Sequence, residues 1–457
     1  MPSGRRIRSS ARSGISVGSL VGLTLVSARP IAQEDASPGA PAERPNIVLL
    51  IADDLKVEHL GFAGGDLART PTLDTLAAEG VVFTTAHVPM SRCRPSLASL
   101  LSGLWPHQHG VLFNQGKPYL DPADSLPRLL RDAGYATYLG GKFWEDDPAA
   151  MGFQAAFTDL EGFVREGQEP LFAFIDEFKD EAPLFIWWAP RLPHYPYDPP
   201  QELVERFDAS KIRVPASFAG NAAEYAREER LLLASTAWLD RGVHELREKL
   251  AQVGELDDTL FCFFADNGWD PGSPSKGSPS EAGLRTPIVF SGRGVPRGRR
   301  HDELVSTVDL YPTLLDFAGL PVPARAAGRS LEPWILGGPP AGREILFGAL
   351  YPRKRLSKPR APAENAYALY ARTGEWKYVL YLEALDAQAN DDLGIHHRLG
   401  PPLLREAADE DLYFLPEDPH EERDLAGEPG NAERLREFRA SLSAWWLGSG
   451  GKPLPIR

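Results

Sequence analysis

Nearly continuous runs of apolar residues alternate with amphipathic segments along the first three quarters of the chain. Three apolar runs lie within NIVLLIADD (46–54), DTLFCFFADNG (258–268) and TPIVFSG (286–292). Such runs are typical of strands in a sheet that is covered on both faces. TPTLDTLAAEG (70–80) and SLPRLLRDAGY (125–135) instead have the apolar spacing of helices. The alternation predicts an α/β fold with a large, mostly parallel central sheet flanked by helices.

The pattern changes in the last quarter of the chain. GEWKYVLYL (374–382) and EDLYFLPED (410–418) are short segments of the kind that forms antiparallel strands. NAERLREFRASLSAWW (431–446) has the spacing of an amphipathic helix. We therefore expect a main domain over 45–340, followed over 341–457 by a smaller α+β subdomain with a short antiparallel sheet.

The N-terminus resembles an export signal. Residues 1–13 contain four arginines and no acidic residue, and residues 14–28 are apolar with small residues at the end. A basic segment, a short apolar segment and small residues are the parts of a secretory signal peptide. We expect a signal peptide over 1–28, a Pro- and Ala-rich linker over 29–44, and a mature protein that is periplasmic or secreted. A disordered basic leader is the alternative.

Composition narrows the possible partners. The 457 residues include 49 Lys and Arg against 63 Asp and Glu, which gives a formal net charge of −14. Contacts to nucleic-acid phosphates need clustered basic side chains, so we expect no nucleic-acid partner. The ordinary globular composition also predicts no integral membrane association. The two cysteines, Cys93 and Cys262, exclude a disulfide framework, and Cys262 within LFCFF is predicted to be a core residue.

Oxygen-bearing side chains follow two of the predicted strands. Asp53 and Asp54 end the first apolar run, and Asp266 and Asn267 end the second. Ligands of parallel sheets bind outside the carboxyl ends of the strands. Carboxylate and amide oxygens are the ligands that Ca²⁺ and Mg²⁺ prefer. The two pairs therefore predict a shared cation site, although a helix cap and a turn would explain each pair taken alone.

Cys93 has an unusual neighbourhood in SRCRPSLASLLSG (91–103). Arg92 and Arg94 flank it, and SLASLLSG predicts a helix whose N-terminus faces the cysteine. Arginines and a helix N-terminus both favour anions. This cysteine is therefore a candidate for chemistry on an anionic substrate, against the alternative of an inert buried side chain.

Several segments resemble, in order, the signature segments of one enzyme family over about Pro45 to Trp446. They are RPNIVLLIADD, TPTLDTLAAEGVVFTTAHV, CRPS with LLSG, FFADNG, KGSPSEAGLRTPIVFSG and LYFLPEDPHEERDLA. The chain thereby resembles the type I, formylglycine-dependent sulfatases of the alkaline phosphatase superfamily. The resemblance implies an alkaline-phosphatase-like sandwich with a catalytic domain over 45–340. It also implies the hydrolysis of sulfuric esters, in this case with a sulfated small molecule or glycan as the substrate.

The resemblance assigns roles to individual residues. Cys93 would be converted by a maturation enzyme to Cα-formylglycine, whose hydrated aldehyde attacks sulfur. A Ca²⁺, or alternatively Mg²⁺, would be bound by the two strand-end pairs and residue 93. His194 in PHYPY would contact sulfate and protonate the leaving oxygen. The remaining catalytic or substrate-binding assignments are Lys142, Lys276, Arg94 and His109.

Other residues leave alternatives open. His107 and His109 in WPHQHG are either pocket residues or packing residues, and Trp187 and Trp188 belong either to a pocket with Arg191 and Tyr195 or to the core.

Two positions depart from the family pattern, because Leu97 stands in place of an arginine and Trp144 in place of a histidine. The leading hypothesis is a sulfatase that acts on a sulfated carbohydrate. A phosphonate monoester or phosphodiester hydrolase of the same superfamily is the second. A non-catalytic, sulfatase-like binding protein is the third, and the two departures are its support in the sequence.

Overall fold

The computed structural model describes most of the chain that follows the predicted linker. The described residues are 24–25, 44–115, 117, 119–159, 162–215, 218, 220–352, 361–393, 395, 399 and 402–454. The predicted signal peptide (1–28) and linker (29–44) therefore lie outside the described residues, apart from 24–25 and Arg44. Of the helices in the described residues, none combines the length and the hydrophobicity needed to cross a bilayer.

Ten strands form the central sheet. They are β1 Thr24–Leu25, β2 Asn46–Ala52, β3 Gly80–His87, β4 Ala136–Gly141, β5 Ala155–Phe157, β6 Leu184–Ala189, β7 Thr259–Ala265, β8 Arg285–Gly292, β9 Arg299–His301 and β10 Val305–Ser306. Their spatial order is β1-β5-β4-β6-β2-β7-β8-β3-β10, with β9 paired to β3. β5, β4, β6, β2 and β7 run parallel. β8 runs antiparallel to both of its neighbours, so the sheet is mixed but mostly parallel, as expected.

Helices cover both faces of this sheet. They are α1 Pro71–Ala78, α2 Cys93–Ser102, α3 Pro106–His109, α4 Leu126–Asp132, α5 Glu169–Phe178, α6 Gln201–Val204, α7 Ala222–Val253, α8 Glu281–Leu284, α9 Leu310–Phe317 and α10 Glu332–Ile335. Alternate residues of β2 pack into two different cores, with Leu49 facing α2, α4 and α9 and Leu50 facing α1, α5 and α7. A strand buried on both faces has few positions for polar side chains, which explains the nearly continuous apolar runs.

Local signals set the helix ends. Asn221 accepts hydrogen bonds through Oδ1 from the amides of Ala223 and Glu224, and so caps α7. Gly254 ends the same helix with a φ of 85°, a conformation that glycine adopts readily. Helix α2 begins at Cys93 itself and not three residues later as the sequence suggested. Pro95 is compatible with this earlier start because proline is tolerated in the first turn of a helix.

A second sheet is built from the last quarter of the chain. Its antiparallel strands are β11 Leu346–Leu350, β12 Ala368–Arg372, β13 Trp376–Tyr381 and β14 Glu410–Phe414, with helices α11 Ala387–Leu393 and α12 Ala432–Gly448 nearby in the chain. β13, β14 and α12 coincide with the predicted elements, whereas β11 and β12 were not predicted. This sheet and α12 share a core with Val88, Met90 and Leu284. The smaller sheet therefore supports the segments that flank α2.

The two tryptophans of β6 belong to the core. Trp187 and Trp188 are both fully buried. Trp187 donates its indole N–H to the carbonyl of Lys142 at 3.1 Å, and Trp188 donates to Gln168 Oε1 at 2.6 Å. The core alternative for this pair is therefore correct. Through the first of these bonds, β6 also fixes the backbone at the end of β4.

Candidate active site

Two pairs of oxygen-bearing residues meet at one edge of the central sheet. β2 and β7 are adjacent and parallel, and their last residues lie opposite each other. Asp53 and Asp54 therefore emerge beside Asp266 and Asn267, and the Asp54 amide donates to Asp266 Oδ1 at 3.2 Å. Asp54 has a φ of 61°, which is uncommon for a residue with a side chain and typical of functional sites. The fold thus brings both predicted pairs to the same point.

These residues form a buried cluster that suits a hard cation. One ligand atom from each of Asp53, Asp54, Cys93 and Asp266 lies within 4.8 Å of the others, and all four side chains are buried. Asn267 donates through Nδ2 to Asp54 Oδ1 at 2.7 Å. Its Oδ1 is buried and accepts no hydrogen bond from the residues that the structure describes. Three carboxylates and an unsatisfied carbonyl oxygen fit Ca²⁺ or Mg²⁺.

Two buried lysines contact this cluster. Lys142 Nζ lies 2.5 Å from Asp53 Oδ1 and 2.8 Å from Asp266 Oδ2, and Lys276 Nζ lies 2.6 Å from Asp54 Oδ1. Burial lowers the pKa of Lys142, but the charges of Asp266 and Asp53 outweigh burial and raise that pKa well above its usual value. Both lysines therefore place positive charge against the carboxylates of the cluster.

Glycine positions Lys142 at the end of β4. Gly141 has a φ of 89°, and a side chain there would begin 2.2 Å from the carbonyl oxygen of Ala189 on the neighbouring strand β6. The close approach of the two backbones turns the chain so that the next residue points into the cluster.

The carboxylates of the cluster respond differently to their surroundings. Burial raises the pKa of Asp53, but the charges of Lys142 and His194 outweigh burial, and the net pKa is lowered. For Asp266, burial and the charges of Asp53 and Asp54 prevail over Lys142 and raise the pKa to about 6. Mutual repulsion of this kind is relieved when a divalent cation binds.

Cys93 lies in the first turn of α2 with its side chain against the cluster. Its Sγ is 3.7 Å from Asp53 Oδ1, and 1% of the residue is exposed. Burial, followed by the charge of Asp266, raises the pKa of the thiol to about 12. The unmodified thiol is therefore protonated at neutral pH and is a poor nucleophile.

His194 follows β6 and faces the same cluster. Its Nε2 lies 3.3 Å from Asp54 Oδ2, and its Nδ1 lies 2.5 Å from the carbonyl oxygen of Tyr195. A carbonyl oxygen only accepts, so Nδ1 carries a hydrogen and Nε2 is the atom that faces the site. The loop is held in place because the amide of Asp53 donates to the carbonyl of Leu192 at 2.9 Å.

Arg94, predicted to contact substrate, is buried beneath the surface of the site. Its Nε donates to Glu145 Oε1 at 3.1 Å, and its guanidinium carbon lies 5.0 Å from the ring centre of Tyr119. Glu145 also accepts from the amide of Leu120 at 2.7 Å. Glu145 was not predicted from the sequence, where its position three residues after Lys142 was the one signal. Arg94 therefore organises the loops around Cys93 as well as lying next to it.

The two histidines of WPHQHG are engaged within the fold. His109 Nε2 lies 3.1 Å from Ser99 Oγ, and its Nδ1 accepts from the amide of Val111 at 3.0 Å. Both ring nitrogens of His109 are therefore engaged in hydrogen bonds within the fold. His107 packs against the ring of Trp446 at 4.6 Å between centroids, and its packing alternative is the correct one.

The two departures from the family pattern occupy different environments. Leu97 is 3% exposed and packs in the core beneath α2. Trp144 lies beside the site, with its ring centre 5.7 Å from Lys142 Nζ. Its indole nitrogen is buried and has no hydrogen-bond partner in the described part of the chain.

A further ion-pair network, which the sequence analysis missed, joins the two strand-end loops. Lys56 Nζ lies 2.9 Å from both Asp270 Oδ2 and Glu229 Oε1, and Glu229 Oε1 lies 2.9 Å from His59 Nε2. Lys56 follows Asp54 by two residues and Asp270 follows Asn267 by three, and their closeness to the two strand-end pairs was the signal in the sequence. The network holds both loops against α7.

Comparison with known proteins identifies the family. The family model described as Sulfatase matches residues 45–320, more than half of the chain. The chain belongs to the sulfatase family. This match confirms the resemblance found in the sequence and the expected enzyme class, which hydrolyses sulfuric esters.

Individual sulfatases match over nearly the whole chain. Human N-sulphoglucosamine sulphohydrolase is 28% identical over 88% of this chain and 89% of its own length. Human arylsulfatase A is 28% identical over 89% of each chain. A structure solved in complex with its substrate D-glucosamine-2-N,6-O-disulfate superposes with a TM-score of 0.72 and 19% identity over 89% of this chain and 98% of that one. The sulfatase fold predicted from the sequence is thereby confirmed.

Proposed function

We propose that this chain is an exported sulfatase that removes sulfate from a sulfated carbohydrate, with residue 93 as its nucleophile after conversion to formylglycine. The observation that carries the proposal is the buried cluster of Asp53, Asp54 and Asp266 around Cys93, bordered by Lys142 and by the other cationic side chains described above. A cluster with acids at its centre and bases at its rim can bind a cation and an anion side by side. Hydrolysis of a sulfate ester at a metal ion requires this combination.

The two strand-end pairs would hold the divalent cation, with residue 93 completing the set of ligands. Asp53, Asp54 and Asp266 would supply carboxylate oxygens, and Asn267 would supply its buried, unsatisfied Oδ1. When bound, the cation would neutralise sulfate charge and lower the pKa of the attacking hydroxyl. An all-oxygen set from the protein favours Ca²⁺, with Mg²⁺ as the alternative.

The nucleophile would be formylglycine. The unmodified Cys93 thiol is poorly suited to attack because its pKa is raised to about 12. A hydrated aldehyde at this position would supply one hydroxyl for attack and a second for release of the product. The burial of residue 93 at the start of α2 fixes its position next to Asp53 and restricts the access of water.

Three side chains would act on the ester itself. Lys142 and Lys276 would bind the sulfate oxygens, since both are buried, charged and within 3 Å of the cluster carboxylates. His194 would hold a proton at Nε2 and donate it to the leaving sugar oxygen. The hydrogen bond from its Nδ1 to the Tyr195 carbonyl would keep the ring in the required orientation.

The proposed substrate class rests on the names of the relatives. One relative is named for N-sulphoglucosamine, and one structural neighbour was solved with a disulfated glucosamine as its substrate. Export rests on the basic and apolar segments of residues 1–28. A formylglycine-generating enzyme is the maturation partner that the proposal requires.

The test combines mass spectrometry with an assay of three ester classes. Protein from the native host is digested, and the peptide that contains Cys93 is examined for an aldehyde or its hydrate, with the peptide of Cys262 as the unmodified control. The same preparation is assayed with Ca²⁺ on D-glucosamine-2-N,6-O-disulfate, para-nitrophenyl sulfate and bis(para-nitrophenyl) phosphate.

We expect an aldehyde at residue 93, sulfate release from the sugar, and loss of both in Cys93→Ala. A preference for the phosphate diester would favour the phosphodiesterase alternative. An unmodified thiol without turnover would favour the non-catalytic alternative.

A further inference from the structure

Two tyrosine rings stand out at the surface near the active site. Most large hydrophobic side chains of the described chain are buried, but Tyr119 remains 37% exposed and Tyr195 remains 50% exposed. The other exposed large hydrophobic residues in that part of the chain are leucines. Tyr195 directly follows His194 in the sequence, and Tyr119 contacts Arg94, which directly follows Cys93. An exposed aromatic ring next to a catalytic group is a candidate contact for substrate.

Tyr195 is fixed beside the proposed general acid. It directly follows His194, and its carbonyl oxygen lies 2.5 Å from His194 Nδ1 and accepts from Arg191 Nη2 at 2.9 Å. Its ring meets the ring of Tyr197 edge to face, with 5.7 Å between centroids and an interplanar angle of 86°. The backbone and the ring are therefore held in place, while half of the residue's surface stays open to solvent.

Tyr119 contacts Arg94, the residue that follows the proposed nucleophile in the sequence. The guanidinium of Arg94, the residue after Cys93, lies 5.0 Å from the centre of the Tyr119 ring. Arg94 is itself buried and bound to Glu145, which also accepts from the amide of the residue after Tyr119. The ring thus lies against a buried cation, while 37% of the residue's surface stays exposed.

We propose that Tyr119 and Tyr195 form a sugar-binding rim, the tyrosine rim, which packs against the carbon faces of the pyranose rings of a sulfated glycan. The inference rests on the proposed function, since it places the sugar at the same site as the sulfate. Pyranose rings present apolar C–H faces, and tyrosine offers a rigid apolar surface at low cost in conformational entropy. Neither ring adds charge, so the rim recognises the sugar and the lysines recognise the sulfate.

The tyrosines and the lysines should therefore affect the binding of different sets of ligands. The binding of free sulfate depends on Lys142, Lys276 and the cation, and not on the tyrosines. The binding of a sugar sulfate depends on both groups. Removal of a ring should therefore weaken the binding of sugar sulfates and leave the binding of inorganic sulfate unchanged.

The experiment uses calorimetric titration of the full-length chain with Ca²⁺ present. Cys93→Ala is the parent, so that bound sugar is not hydrolysed. The probes are D-glucosamine-2-N,6-O-disulfate, a sulfated carrageenan hexasaccharide and inorganic sulfate. Tyr195→Ala and Tyr119→Ala are compared with Tyr195→Phe and Tyr119→Phe, which keep the ring. Leu447→Ala, at an exposed position on α12, is the control for loss of surface apolar area.

We expect each alanine variant to bind at least one sugar roughly tenfold more weakly, as for the loss of one aromatic contact. Inorganic sulfate binding should stay within twofold of the parent, and the phenylalanine variants and Leu447→Ala should match the parent for all probes. Unchanged sugar binding in both alanine variants would overturn the tyrosine rim, as would equal weakening of sugar and inorganic sulfate. A parent that binds sulfate but neither sugar would also overturn it. Rim-dependent binding by a chain whose matured form hydrolyses no ester would overturn the proposed function alone.

Discussion

Replacement of Asp266 by asparagine tests whether this carboxylate binds a metal ion or only supports the fold. Asp266 is fully buried, and burial with the charges of Asp53 and Asp54 raises its pKa to about 6. Because the pKa is raised in the folded state, this group stabilises the fold only at low pH, and the contribution is lost as the pH rises through about 6. A shift of about two pKa units corresponds to ~3 kcal/mol of unfavourable free energy in the metal-free protein at neutral pH. Asparagine keeps an acceptor for the Asp54 amide and removes the charge.

When Ca²⁺ is bound, the difference in melting temperature between Asp266→Asn and the parent should shift by ~3 °C in favour of the parent. An unfolding entropy of ~2.1 cal/mol/K per residue over roughly 400 residues means that ~1 kcal/mol moves the melting temperature by ~1 °C. In EDTA, Asp266→Asn should therefore melt at or above the parent, by up to ~4 °C. With Ca²⁺ at a hundredfold excess over Kd, the parent should gain ~3 kcal/mol, or ~3 °C, and the variant should gain nothing.

The assay is differential scanning calorimetry at about pH 7.5, with titration of Ca²⁺ into protein stripped with EDTA. Asp240→Asn is the matched control, because Asp240 is also buried with a pKa raised to about 6 by burial, but accepts hydrogen bonds from the amides at the start of α1. That variant should keep the full Ca²⁺-dependent shift. Equal Ca²⁺ shifts in the parent and Asp266→Asn would refute the metal assignment, and a strongly destabilised Asp266→Asn in EDTA would refute the repulsion argument.

Two further substitutions test the site from other directions. His194→Gln should lower kcat on a sugar sulfate by roughly a hundredfold or more. The loss on para-nitrophenyl sulfate should be much smaller, because nitrophenolate leaves without a proton. Equal losses in steady-state assays of both esters would contradict the general-acid role. Leu97→Arg should lower the melting temperature by several degrees, because the side chain at this 3%-exposed position would bury an unpaired charge, while the control Leu97→Met should melt near the parent. A Leu97→Arg protein that is more stable, with more formylglycine at residue 93, would show that the site accommodates the family's arginine.

The sequence predicted several helices and strands and the chemistry of individual side chains. The run NIVLLIADD predicted a buried strand because a strand covered on both faces is mostly apolar, and all seven residues of β2, including Asn46 at its start, are buried. The helices after Thr70 and Ser125 were predicted from their local spacing, and both formed. β11 and β12 were missed because short strands gain most of their stability from cross-strand neighbours, which a single segment does not reveal.

Only the tertiary structure decided which of the candidate residues meet. The order β6-β2-β7 brings Asp53 and Asp54 to Asp266 and Asn267. Tertiary packing also places His107 against the ring of Trp446 and provides hydrogen-bond partners for both ring nitrogens of His109.

The sequence by itself determined the buried strands β2, β7 and β8, the helices α1 and α4 and the oxygen-rich strand ends, because apolar runs and helical periodicity are local properties. It did not determine the pairing of Arg94 with Glu145, the exposure of Tyr119, or the lack of a hydrogen-bond partner for Asn267 Oδ1 among the described residues. Those depend on contacts between segments far apart in the chain. Tertiary contacts decide which side chains are buried and which stay exposed to solvent. They therefore decide which charges and hydrogen-bonding groups remain available to a ligand.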